Sequence, residues 1–214
     1  MTAIRLPLDE SLRRELEHPH EVAIAALDDA GTNPLVAVTW TATHVAAVTR
    51  VLHPVARRVL PRGPQRMRSV VAADQALQQA LWWLDRRLTG DARVATHEIA
   101  ALQEAVRSAL ERHARREQAL VAELVQHLAV AEQQALAARL ARAVRRGPTR
   151  PHPNSPHHGL AAVLAFGLDA GADHLRDLLD SRSWPTPHDH LPARVSGRWG
   201  AYLTAAPYPR EPKR

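Results

Sequence analysis

The chain has 214 residues, 45% of them hydrophobic and 23% charged, enough to build a packed core without covalent staples. It has no cysteine, which excludes disulfide frameworks, thiolate metal sites and thiol nucleophiles together. Nine glycines and a single phenylalanine argue against a large sheet protein, and the net charge of +6 rests on arginine, with Lys213 the only lysine.

In chain order, residues 1–34 form an acidic N-terminal segment. Its span 9–30 predicts one or two short helices, interrupted near Pro19. From 35 to 60, apolar residues recur at Val38, Ala42, Val45, Val48, Val51, Leu52, Val55 and Val59, the spacing of a helix face. Pro61-Arg-Gly-Pro64 ends it. A second helix is expected over 66–88 and a third, the longest, over 92–128, with glutamates and arginines interleaved on a solvated face. A fourth runs over 131–145 and stops at Gly147-Pro148. The string from Pro148 to Pro156 holds four prolines in nine residues and predicts an extended connector. Helical spacing returns at 158–180, and residues 181–214 read as a loosely ordered basic tail. The organisation is therefore an N-terminal segment, a helical core over 35–146, a connector and packing helix over 147–180, and the tail. The expected class is all-α, an antiparallel four-helix bundle with short loops.

No leader or membrane span is predicted. The start is short and acidic, and the apolar run 36–48 is broken by Thr, Trp and His, so the chain reads as cytoplasmic. No phosphate loop, nucleophile elbow or zinc-protease motif is present, which argues against an enzyme. Arg57, Arg58, Arg62, Arg66 and Arg68 straddle the first interhelical turn with no acid among them. A phosphate-binding patch is conceivable there, but no nucleic-acid reading motif accompanies it, so specific nucleic-acid binding is not expected.

The 13 histidines invite a metal reading. His113 and Glu117 stand four apart, which puts both side chains on one helix face about a turn apart. The bland alternative is an exposed pair, since Arg112, Arg115 and Arg116 surround it. His44 lies among apolar neighbours, and a hydrogen-bonded buried histidine is as reasonable there as a ligand. His152, His157, His158, His188 and His190 fall in proline-rich stretches and read as solvated loop. Of Trp82-Trp83, one is expected in the core and the other over a seam.

Three stretches resemble a family. His53-Pro-Val-Ala-Arg-Arg-Val-Leu-Pro61, and His113-Ala-Arg-Arg-Glu117 followed by Leu120 and Leu124, are similar to segments of bacterial hemerythrin-like (HHE cation-binding) domains. The proline string followed by an apolar helix is similar to the C-terminal extension of actinobacterial members. The likeness spans roughly 35–180. It implies a four-helix bundle around a non-haem diiron centre, and a role in sensing oxygen, nitric oxide or iron, or in storing iron. Carried over residue by residue, His44 takes the first-helix histidine position, with Val48 where a carboxylate is expected. Asp74-Gln75 stands for a Glu-His pair, so Gln75 replaces a histidine. His113 and Glu117 are retained, and His20 is the candidate from the N-terminal segment. His53 lies nine residues after His44, about 900° around the helix, and reads as part of a helix end facing away. The set suits a mononuclear iron site better than a dinuclear one. The alternative is a metal-free helical interaction domain with a protein partner, in which Val48 fills the former site. A binder of anionic partners through arginine is the third reading.

Overall fold

The computed structural model describes residues 8–29, 33–155 and 159–179. Every regular element among the described residues is helical: α1 Glu10–Asp28, α2 Leu35–Val59, α3 Gly63–Leu88, α4 Ile99–Leu124, α5 Val130–Arg146 and α6 Gly159–Leu179, with 3-10 turns at Ala92–Val94 and Val125–His127. The all-α expectation holds. The basic tail and His157, His158, His188 and His190 lie outside the described residues.

α1 is one helix and continues through Pro19, correcting the expected interruption. Asp9 caps it, accepting a hydrogen bond from the Ser11 amide at 3.0 Å. Proline removes one helical hydrogen bond, but Leu12, Leu16, His20, Ala23 and Leu27 form one buried stripe on both sides of it. Burying that whole stripe outweighs a single lost backbone bond.

α2 is the central helix: α1, α3, α5 and α6 all pack on it. It is apolar enough by length and composition to cross a bilayer, with mean hydropathy 1.4 over its best window, yet 67% of that window is buried by its neighbours. The tight turn into α3 places Arg62 in the left-handed region at φ 55°. A Cβ on Gly63 would lie 2.3 Å from the Arg57 carbonyl oxygen, so only glycine fits there. Arg58, Arg62, Arg66 and Arg68 are exposed around this turn, and Arg66 pairs with Glu123 on α4 at 3.3 Å.

The expected helix over 92–128 is shorter, because residues 95–98 serve the end of α3. His97 stacks on Trp83 at 5.5 Å, and its carbonyl accepts from Arg87 Nε at 2.8 Å. Neither tryptophan is a core residue. Both are half-buried, packed edge to face at 4.8 Å, with Arg86 over the Trp82 ring.

The connector is held rather than solvated. Asp173 on α6 accepts from the Thr149 and Arg150 amides at 2.9 and 2.8 Å and lies 2.8 Å from His152 Nε2. Arg150 reaches Asp177 at 2.9 Å, with Asp85 of α3 at 3.9 Å. His152 is thus a fixed part of the fold, not a loop side chain.

The interior divides in two. One apolar cluster gathers Leu12, Leu16, Val48, Leu52, Met67, Val70, Leu120 and Leu124 with the buried face of α5. The other gathers Ala23, Leu27, Val38, Val45, Leu77, Leu81, Val106 and Leu110. Between them, α1 to α4 each contribute polar side chains.

Candidate metal centre

The polar layer arises from helical spacing. On α4 the buried positions 106, 110, 113, 117, 120 and 124 alternate by four and three, and His113 and Glu117 occupy the middle of that stripe. On α3 the stripe 67, 70, 74, 77, 81 and 84 carries Asp74 at its centre. These residues point inward because their apolar neighbours above and below do. His20 of α1 and His44 of α2 reach the same level, at 6% and 1% exposure, against 0% for His113 and 1% for Glu117.

The three imidazoles converge on the Glu117 carboxylate. His44 Nε2 donates to Glu117 Oε2 at 3.1 Å. His113 Nε2 lies 3.5 Å from the same oxygen, and His20 Nε2 lies 3.9 Å from Oε1. The three imidazoles meet edge to face, with ring centroids 4.6 to 5.6 Å apart. One ligand atom from each of the four lies within 4.8 Å of all the others. Around a first-row metal with bonds of about 2.0–2.2 Å, neighbouring ligand atoms stand roughly 3.0–3.5 Å apart. The cluster must therefore contract to close on an ion, and of the three imidazoles His20 stands furthest from the carboxylate.

The electrostatics suit a cation. Burial acts to raise the Glu117 pKa, but the His44 charge and hydrogen bond, followed by His113, hold it down at about 2. Burial, then His44, lowers His20 to about 3, so it is neutral with a lone pair available. Neither His20 Nε2 nor His113 Nε2 has a hydrogen-bond partner, and both are buried. Such orphaned nitrogens are costly in a folded interior and are what a metal ion would satisfy.

A further carboxylate orients the centre. His113 Nδ1 donates to Asp74 Oδ1 at 2.8 Å, which turns Nε2 towards Glu117. Burial works against protonation of His113, yet the Asp74 hydrogen bond and the Glu117 charge raise its pKa. A metal at Nε2 would therefore displace a proton. The other Asp74 oxygen lies 3.3 Å from His53 Nε2, both residues being fully buried. This corrects the reading of His53 as a helix-end residue. It does not stand apart from the centre: the Asp74 carboxylate that meets it on one oxygen holds His113 on the other. Burial pushes His53 down to about 4 despite that carboxylate.

The residues singled out in the sequence divide as follows. His20, His44, His113 and Glu117 come together, and His113–Glu117 is not the exposed pair of the bland alternative. Gln75 is exposed, away from the centre; its neighbour Asp74 is the one that turns in. Val48 lies in the apolar cluster at 0% exposure. The roles of Asp74 and His53 were missed, although the three-and-four stripe of α3 would have pointed Asp74 inward.

No family model, curated protein or solved structure matches this chain.

Proposed function

We propose that the chain is a divergent hemerythrin-like protein in which α1 to α4 form an antiparallel four-helix bundle around a single first-row transition metal ion. His20, His44, His113 and Glu117 are the ligands, and Asp74 orients His113. The observation that carries this reading is the convergence of four buried ligand atoms within 4.8 Å, two of them orphaned imidazole nitrogens. Imidazole and carboxylate donors suit iron, zinc and their neighbours, and the family resemblance favours non-haem iron. Bound iron would supply redox and small-molecule-binding chemistry. The chain's residues hold it and set its charge. Sensing of oxygen, nitric oxide or iron is the role this reading favours, with iron storage less suited to a lone ion.

A metal-free interaction domain is the second reading, favoured by Val48 in the apolar cluster, where a further carboxylate would otherwise stand. Anaerobic reconstitution with ferrous iron, followed by metal analysis, separates the two. The metal reading expects close to one iron per chain, lost in His44→Ala and His113→Ala, and a charge-transfer absorption after oxidation. Trace iron in the unaltered chain, unchanged in the variants, leaves the metal-free domain.

A further inference from the structure

α6 faces the bundle with its polar side. Asp173 and Asp177 are buried there with Ala170, and they hold Thr149, Arg150 and His152 of the connector. About 150° around the helix, Leu164, Leu168, Leu175 and Leu178 stand 58%, 74%, 60% and 53% exposed. Among the described residues one other large hydrophobic side chain, Val130, is exposed. Turning α6 to bury the leucines would carry both aspartates away from their partners, so this fold leaves the leucines outward.

The stripe 164, 168, 171, 175, 178 advances by four, three, four and three, the spacing of a seam between paired helices. No charged side chain interrupts it. Its middle position is Gly171, with Gly167 about one turn before. Glycine weakens a helix, and a Cβ at either position would meet nothing within 4 Å. One chain alone therefore gains nothing from these glycines, whereas a second backbone approaching closely does.

We propose that α6 pairs with α6 of a second copy of this chain, antiparallel and crossing at Gly171. The stripe reads alike from both ends, with leucines at 164 and 168 before the glycine and at 175 and 178 after it. A two-fold axis at Gly171 sets Leu164 on Leu178 of the second copy and Leu168 on Leu175, and the reverse. Opposed helix dipoles favour the antiparallel sense. Four leucines more than half exposed, with the glycines between them, offer roughly 500 Å² per copy. A pair then buries roughly 1,000 Å², the size of a weak and reversible dimer. The proposed metal ligands lie on α1, α2 and α4, so the pairing does not depend on metal.

Sedimentation of the full chain from about 1 to about 300 µM should show a reversible monomer–dimer equilibrium, the same with and without added iron. Gly171→Glu replaces a poor helix former in open space, so the single chain keeps its helical content. At the two-fold axis it sets like charges together and should weaken association at least about tenfold. Leu168→Glu and Leu175→Lys should each do the same. Combined in one chain they should recover most of the loss, because antiparallel pairing sets each against the other. A chain still monomeric at about 300 µM overturns the proposal; if that monomer binds vesicles of anionic phospholipid, the stripe serves a lipid surface instead. A dimer that the single variants leave unchanged pairs through another face and also overturns it. A dimer weakened by the single variants but not recovered by the double one overturns the antiparallel register.

Discussion

The Asp74 carboxylate accepts a hydrogen bond from His113 Nδ1 at 2.8 Å, with both side chains at 0% exposure. That contact selects the nitrogen left for Glu117 and for the proposed metal ion. Asp74→Asn keeps the shape but removes the charge that makes His113 a strong donor. Loss of such an outer partner typically costs 10- to 100-fold in metal affinity. A chelator-competition titration should show a weakening in that range, with helical content by circular dichroism unchanged. Equal affinity in the two proteins would make Asp74 a packing residue only.

Metal stoichiometry should be one ion per chain. A second ion of a dinuclear pair would need a carboxylate a turn along α2 from His44. That position is Val48, packed among Val51, Leu52, Leu120, Val121 and Leu124. Val48→Glu would place an unpaired carboxylate in this apolar cluster, so the metal-free variant should melt at a lower temperature than the parent. Metal analysis giving two equivalents in the unaltered chain would contradict the single-ion centre.

Much of this was legible in the sequence, for identifiable reasons. Helical periodicity is local, so the α2 and α3 spans and their proline and glycine stops could be read directly. The His113–Glu117 pair carried its own geometry. What failed depended on neighbours distant in sequence. Pro19 looked like a break because the continuous stripe on α1 counts only once α2 and α4 cover it. His53 reads as a helix end because only the fold brings Asp74 of α3 beside it, 21 residues along the chain. His152 looked solvated because Asp173 lies 21 residues away, on α6.

The connector and α6 are joined to the bundle through Arg150, which bonds Asp177 at 2.9 and 3.2 Å and lies 3.9 Å from Asp85. All three are buried, at 3 to 8% exposure. Arg150→Ala leaves two buried carboxylates without this partner, a change that typically costs about 3–5 kcal/mol. Urea denaturation should show a loss of that order, or an early transition confined to α6. Stability within about 0.5 kcal/mol of the parent, the range of an ordinary surface change, would contradict a fastening role.

Docking of α6 should also depend on pH, and the sign follows from His152. Burial works to lower its pKa, but the Asp173 hydrogen bond and charge, with Asp169, raise it above the ordinary value of 6.5 against opposition from Arg176. A histidine that holds its proton more tightly when folded contributes stability fully below 6.5 and loses it as pH rises through the raised value. His20 and His53, lowered to about 3 and about 4, act in the opposite sense: their contribution is present above 6.5 and lost as pH falls through those values. A global melting curve mixes the two, so the local measurement is hydrogen exchange along α6, corrected for intrinsic rates. Protection over residues 164–179 should fall as pH rises from below to above the histidine range. In His152→Gln, with Asp169 and Asp173 facing a neutral amide, that pH dependence should vanish. If it persists in the variant, the titrating group is not His152, and α6 is held by Arg150 on Asp177 and by the Thr149 and Arg150 amides on Asp173.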